Sequence, residues 1–115
     1  MAIYITTSDP EQLLMRLNSA ISSFEIISWA VDKDGDYTIN RDQWRYRAWI
    51  RPHIEGDNLV LGIVQSRKYI MTNELYGVYH GRFVATVLAH FSDAIQEIRV
   101  TSEPIERIDI LELFG

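Results

Sequence analysis

Trp44-Arg45-Tyr46-Arg47-Ala48-Trp49-Ile50-Arg51-Pro52-His53-Ile54-Glu55-Gly56-Asp57-Asn58-Leu59-Val60-Leu61-Gly62-Ile63-Val64-Gln65 is the stretch that decides the fold. Both halves are rich in aromatic and β-branched residues, and Glu55-Gly56-Asp57-Asn58 between them has turn composition. Two long antiparallel strands are therefore predicted. Side chains alternate across a strand. Trp44, Tyr46, Ala48, Ile50 and Ile54 thus share one face, and Arg45, Arg47, Trp49, Arg51 and His53 share the other. A helix-covered core suits the first set, which leaves three arginines around Trp49 on the open face. Pro52 has no N–H to donate and predicts a kink or an edge position.

Working outward, the period of two extends back to Glu25. Ile27, Trp29 and Val31 alternate with smaller neighbours as far as Asp32-Lys33-Asp34-Gly35-Asp36, a hairpin turn from which Tyr37-Thr38-Ile39 leads away. Further upstream, Ser8-Asp9-Pro10-Glu11 reads as a capping box with Ser8 as the cap. Leu13, Leu14, Leu17, Ala20, Ile21 and Phe24 follow at helical spacing, and Ala2 to Thr6 forms a short strand before them. Downstream, Thr72 or Asn73 caps a second helix running to about Ile95. Its stripe is Leu75, Tyr76, Tyr79, Phe83, Val84, Val87, Leu88, Phe91 and Ile95. Glu97 to Thr101 is another short strand. Beyond Pro104, Ile105, Ile108 and Leu111 fit a short helix or an edge strand.

The expected order is β-α-β-β-β-α-β plus a C-terminal tail, in one domain spanning 1–115. Helices on one face of a largely antiparallel sheet make an α+β, two-layer sandwich. Among widespread folds the ferredoxin-like arrangement is the nearest in element order.

A chain of 115 residues with 47% apolar and 23% charged residues has the composition of a globular domain that forms a core without staples. The absence of cysteine excludes a disulfide framework, a thiolate zinc site and a cysteine nucleophile. Met1 to Asp9 has no basic segment ahead of an apolar run, and no apolar run approaches the roughly 18 residues of a membrane span. The expectation is a soluble, cytoplasmic protein. Its net charge of −5 is an average over segregated parts: residues 41–68 carry +3, and each flank carries −4. A basic sheet lies between acidic segments.

Asp32-Lys33-Asp34-Gly35-Asp36-Tyr37-Thr38-Ile39-Asn40 resembles the start of an EF-hand calcium loop, with Asp32, Asp34 and Asp36 at the carboxylate positions. Tyr37 stands where that loop needs glycine for its sharp turn. Gln43 stands where it needs a bidentate glutamate. The flanks read as strands, so the stretch is expected to be an acidic hairpin turn, with no metal site and no cofactor.

The stripe Arg45, Arg47, Trp49, Arg51, His53 has the composition of a protein interface or a small-anion site. In the plainest case its arginines pair with acids such as Asp57 or Glu97. One aromatic on that face, within acidic surroundings, argues against nucleic acid. The second helix carries Gly77, Gly81, Ala85 and Ala89 at four-residue spacing. That ridge admits a close neighbour, either inside the chain or in a second copy. His80 lies beside the buried stripe and is expected to be a satisfied core histidine; His90 is expected to pair with Asp93. No nucleophile elbow or paired histidine ligands appear.

Two functions are therefore expected. The first is a homo-oligomeric, dimeric interaction or regulatory module without catalytic activity, whose partner is its own copy or another protein, with no membrane. The alternative is a binder of a small anion or nucleotide on the Arg/Trp face.

Overall fold

The structure is a computed structural model that describes residues 2–111. The termini of the expected domain, residue 1 and residues 112–115, lie outside the described residues. Nine elements follow in order: β1 (Ile3–Thr6), α1 (Pro10–Ser22), β2 (Trp29–Val31), β3 (Tyr37–Ile39), β4 (Ala48–Glu55), β5 (Asn58–Gln65), α2 (Asn73–Phe91), a 3-10 turn (Ser92–Ala94) and β6 (Glu97–Val100). The six strands form one sheet in the order β2-β3-β4-β5-β1-β6, and every strand pair is antiparallel. This is an α+β fold with both helices on one face. Its meander holds four strands, the larger of the three or four that the sequence implies. Within the sheet, β6-β1-β5-β4, antiparallel throughout, with α1 after β1 and α2 before β6, has the strand order of the ferredoxin-like arrangement, with β3 and β2 added at one edge.

The β4–β5 hairpin registers Ala48 opposite Gln65 and Glu55 opposite Asn58, which leaves a loop of Gly56 and Asp57. Gly56 takes φ 59, the positive angle that a tight hairpin requires and glycine supplies. On the helix side, Ile3, Ile5, Ile50, Leu59, Leu61 and Ile63 meet Leu13, Leu17 and Ile21 of α1, with Tyr79, Phe83 and Val87 of α2, in one buried cluster. Trp29 sits edge-on to Tyr79 and Phe83 at 5.7 and 5.3 Å. Its indole N–H donates to Thr86 Oγ1 at 3.1 Å.

Several boundaries differ from expectation. Asp9, not Ser8, caps α1, its carboxylate accepting from Gln12 N at 3.1 Å. Pro10 at the first helical position holds its predecessor out of the helical region, which makes that predecessor the cap. Phe24 leaves the buried stripe: it ends α1 in the left-handed conformation at φ 63, and its ring is 79% exposed. Leu88 is exposed on α2, and Thr72 caps that helix through Leu75 N. α2 stops at Phe91, short of Ile95.

Among its described residues the tail forms no helix, and it pairs with the sheet through a single parallel bridge between Ile110 and Val64. β1 covers only Asn58–Leu61 of the eight-residue β5, so the edge of β5 beyond Leu61 lacks a strand neighbour. The tail fills that slot. Ile110 N donates to Ile63 O, Gln65 N donates to Ile110 O, and the Asp109 carboxylate accepts from Ile63 N at 2.8 Å and Ile105 N at 2.7 Å. Ile108 packs with Ala2 and Val60 on the outer face. A Cβ at Gly62 would lie 2.2 Å from the Ile108 carbonyl oxygen, so only glycine admits the tail there. No described helix is long and apolar enough to cross a membrane.

Candidate functional site: a cationic, aromatic cleft

The expected strand 44–54 begins only at Ala48. Residues 41–47 fold into successive turns, with Trp44 N and Arg45 N both donating to Arg41 O. Tyr46 adopts φ 61, the left-handed region that costs a bulky residue on the order of 1–2 kcal/mol. Its N–H is held by Thr38 Oγ1 at 3.0 Å. On an unbroken strand, residues 46 and 49 would face opposite ways. The reversal instead stacks Tyr46 on Trp49, with centroids 6.3 Å apart and planes 24° apart. Tyr46 is therefore exposed rather than in the core; of the five residues expected on that face, Trp44, Ala48 and Ile50 pack inward, while Ile54, near the far end of β4, is also exposed.

The arginine stripe is correspondingly dispersed. Arg51 grips Asp36 with two hydrogen bonds, of 2.9 and 2.7 Å. Asp36 is 3% exposed, and this bonded carboxylate holds the guanidinium above its ordinary pKa. Arg47 lies over the Tyr69 ring at 4.0 Å, in a neighbouring hollow beside Trp44 and Glu74. His53 lies farther along β4, opposite Val60. Only Arg45 and Trp49 of the five remain at one site. The acids expected to pair across strands are not the ones used: Asp36 takes Arg51, and Glu55 takes Arg107. That last bond holds the Glu55 carboxyl below its ordinary pKa.

The site itself is a cleft of about 560 Å³ at the end of the sheet, lined by Arg45, Tyr46, Trp49, Arg67, Lys68 and Tyr69. No carboxylate lines it among the described residues. Ser66 Oγ accepts from Lys68 N at 3.1 Å and fixes the turn that carries the two adjacent cations. Arg45 donates to Asn40 Oδ1 at 2.6 Å and lies 3.9 Å from Asp42, but its Nε is buried without a hydrogen-bond partner among the described residues. A buried unpaired donor costs about 1–3 kcal/mol and favours an added acceptor. Tyr46, Arg67, Lys68 and Tyr69 were not among the expected site residues. A signal for them existed: Ala48 opposite Gln65 sets the residues just before β4 against those just after β5, which places Arg45 near Lys68.

In the acidic turn, Asp32 Oδ1 accepts from Asp34 N at 2.8 Å and Asp36 N at 3.0 Å, while Gly35 takes φ 83. Carboxylate oxygens of Asp32, Asp34 and Asp36 come within 4.8 Å of one another, and the positive charge facing Asp36 is that of Arg51. His80 is buried, with Nδ1 2.6 Å from Tyr76 O and its ring stacked on Tyr76. Asp93 is 3.5 Å from Arg16, not paired with His90. Along α2, Gly77, Gly81, Ala85 and Ala89 are exposed, and a Cβ at either glycine would meet nothing within 4 Å. The ridge therefore closes on no other part of the described chain.

Comparison with protein-family models, curated proteins and solved structures finds no match to this chain. The functional reading rests on the geometry alone.

Proposed function

We propose that this chain is a small binding module, without catalytic activity, whose cleft takes an anion bearing an aromatic ring, such as a nucleotide. The observation that carries the reading is the cleft's composition: Arg45, Arg67 and Lys68 with Tyr46, Trp49 and Tyr69, and no acid among the described lining residues. Cations supply charge-assisted hydrogen bonds to phosphate or carboxylate oxygens, and every planar base has a face that stacks on Trp or Tyr. The test is a titration with adenosine monophosphate, adenosine and inorganic phosphate, followed by Trp fluorescence and thermal unfolding. Adenosine monophosphate at a hundredfold excess over its dissociation constant is expected to add about 2.7 kcal/mol of stability. Adenosine and phosphate should each bind more weakly, and Lys68→Glu or Trp49→Ala should remove the shift. No response to adenosine monophosphate up to millimolar concentration sinks the reading.

A second reading, a dimer meeting along Gly77, Gly81, Ala85 and Ala89, is favoured by the empty space over both glycines. Two interior helix glycines cost about 1 kcal/mol each relative to alanine, and nothing inside the described chain explains them. Gly81→Leu should leave a folded monomer where the wild type is dimeric by light scattering; equal masses for the two would dismiss the ridge.

A further inference from the structure

The sheet ends on β6, and among the described residues nothing pairs with its outer edge. The phase of that edge is fixed by its inner partner. Thr101 N donates to Ala2 O, and in an antiparallel ladder alternate residues turn their amides toward the same neighbour. Arg99 and Glu97 therefore face β1. Gln96, just before the strand, also donates inward, to Thr6 O. The N–H and C=O groups left pointing outward within β6 are those of Ile98 and Val100.

The side chains alternate in the same phase. Ile98 pairs with Ile5 on the helix side and is partly buried, whereas Glu97 and Arg99 lie on the outer face, where Arg99 stacks over Tyr4 at 4.2 Å. Read antiparallel against itself about Ile98, this strand is self-complementary. Ile98 meets Ile98, Glu97 meets Arg99, and Arg99 meets Glu97. The two Glu–Arg pairs fall at non-hydrogen-bonded positions, where Cα atoms come within about 4.5 Å and side chains are closest. Natural edges are commonly protected by like charges that repel another strand. Here the charges alternate in sign about Ile98, one of the two residues whose amides point outward.

We propose that the outer edge of β6 docks a second copy of this chain, with the two strands antiparallel about a two-fold axis at Ile98 and Glu97 of each copy facing the partner's Arg99. The twelve strands then form one continuous sheet. A contact through so short a strand belongs to the small, weak class of interfaces, so association should depend on concentration. It is independent of the cleft and of the α2 ridge.

Sedimentation velocity on the full chain from about 10 μM to 1 mM, with a charge swap, tests the contact. Glu97→Arg and Arg99→Glu each set like charges opposite one another twice and should weaken association at least about tenfold. The double variant restores opposite pairs and should recover it. Glu97→Arg leaves the Arg99–Tyr4 stacking intact, so its effect is not a loss of that contact, and circular dichroism confirms the fold of each variant. Hydrogen exchange adds a positional readout: the Ile98 amide should gain protection with concentration, whereas the Arg99 amide is protected throughout. A wild-type monomer at every concentration overturns the proposal. So does a double swap that fails to recover association, or a dimer dissolved by Gly81→Leu and indifferent to the swap.

Discussion

Arg51 and Asp36 are fifteen residues apart, and each decides what the other can be. Asp36 is buried in the acidic turn, and Arg51 spends its charge there instead of on an open face. Removing one partner of such a pair leaves the other uncompensated. Arg51→Ala is expected to cost about 2 kcal/mol in urea unfolding, and adding Asp36→Asn should recover part of it. Arg47→Ala, which forfeits one ring contact, should cost less than about 1 kcal/mol. Equal losses at the two arginines would mean that the buried carboxylate is not what Arg51 serves. Tyr37 and Tyr79 give the alkaline counterpart. Burial, with Asp36 beside it, pushes the Tyr37 hydroxyl far above its ordinary 10.0, and burial raises Tyr79 as well. Because the folded values are raised, the unfolded chain loses these protons first. Stability is thus full below about pH 10 and falls above it, by up to about 1.4 kcal/mol per pH unit for each tyrosine. Tyr37→Phe, which also gives up the 2.5 Å bond to Asn18, should flatten that slope. An unchanged slope would show that Tyr37 ionises in the folded state.

At the scale of elements, the mismatch between a four-residue β1 and an eight-residue β5 organises the C-terminal segment. The uncovered edge of β5 offers backbone groups that would otherwise face solvent. The tail satisfies them through Ile110 and the Asp109 carboxylate, and Gly62 makes room for the Ile108 backbone. Gly62→Ala forces a Cβ onto a carbonyl oxygen rather than onto a flexible side chain. It is expected to cost about 1–3 kcal/mol and to release the tail, since overpacked sites shift their neighbours. Trypsin should then cut after Arg107 faster than in the wild type. Unchanged cleavage there would show that the tail rearranges without leaving the sheet.

For the molecule as a whole, the charge distribution and the sheet's ends matter more than the total of −5. The start of β4 and the end of β5, two central strands, gather three cations and three aromatic rings into the cleft, and the edge strand β6 has alternating charge. Binding of an anion in the cleft should weaken as salt rises, because its cationic side chains are exposed or half-buried and screened over a Debye length of about 8 Å. The proposed ring stacking should persist. A nucleotide titration between about 50 mM and 500 mM salt separates the two contributions, and salt-independent affinity would remove the cations from the binding account.

How much was legible follows from the range of each signal. Capping residues, the periods of two and 3.6, and the Gly56 turn act over a few residues. They determined six of the strands' and helices' positions closely and, apart from Tyr46 and Ile54, the apolar face of residues 44–54. Tertiary structure alone decided that Tyr46 reverses the chain, that Asp36 claims Arg51, and that the tail occupies the bare edge of β5. Each of these depends on two distant segments arriving at one place, where burial makes an unpaired charge or an unbonded amide costly. Local pattern encodes which side chains are apolar; only the packed chain sets which polar groups must find one another.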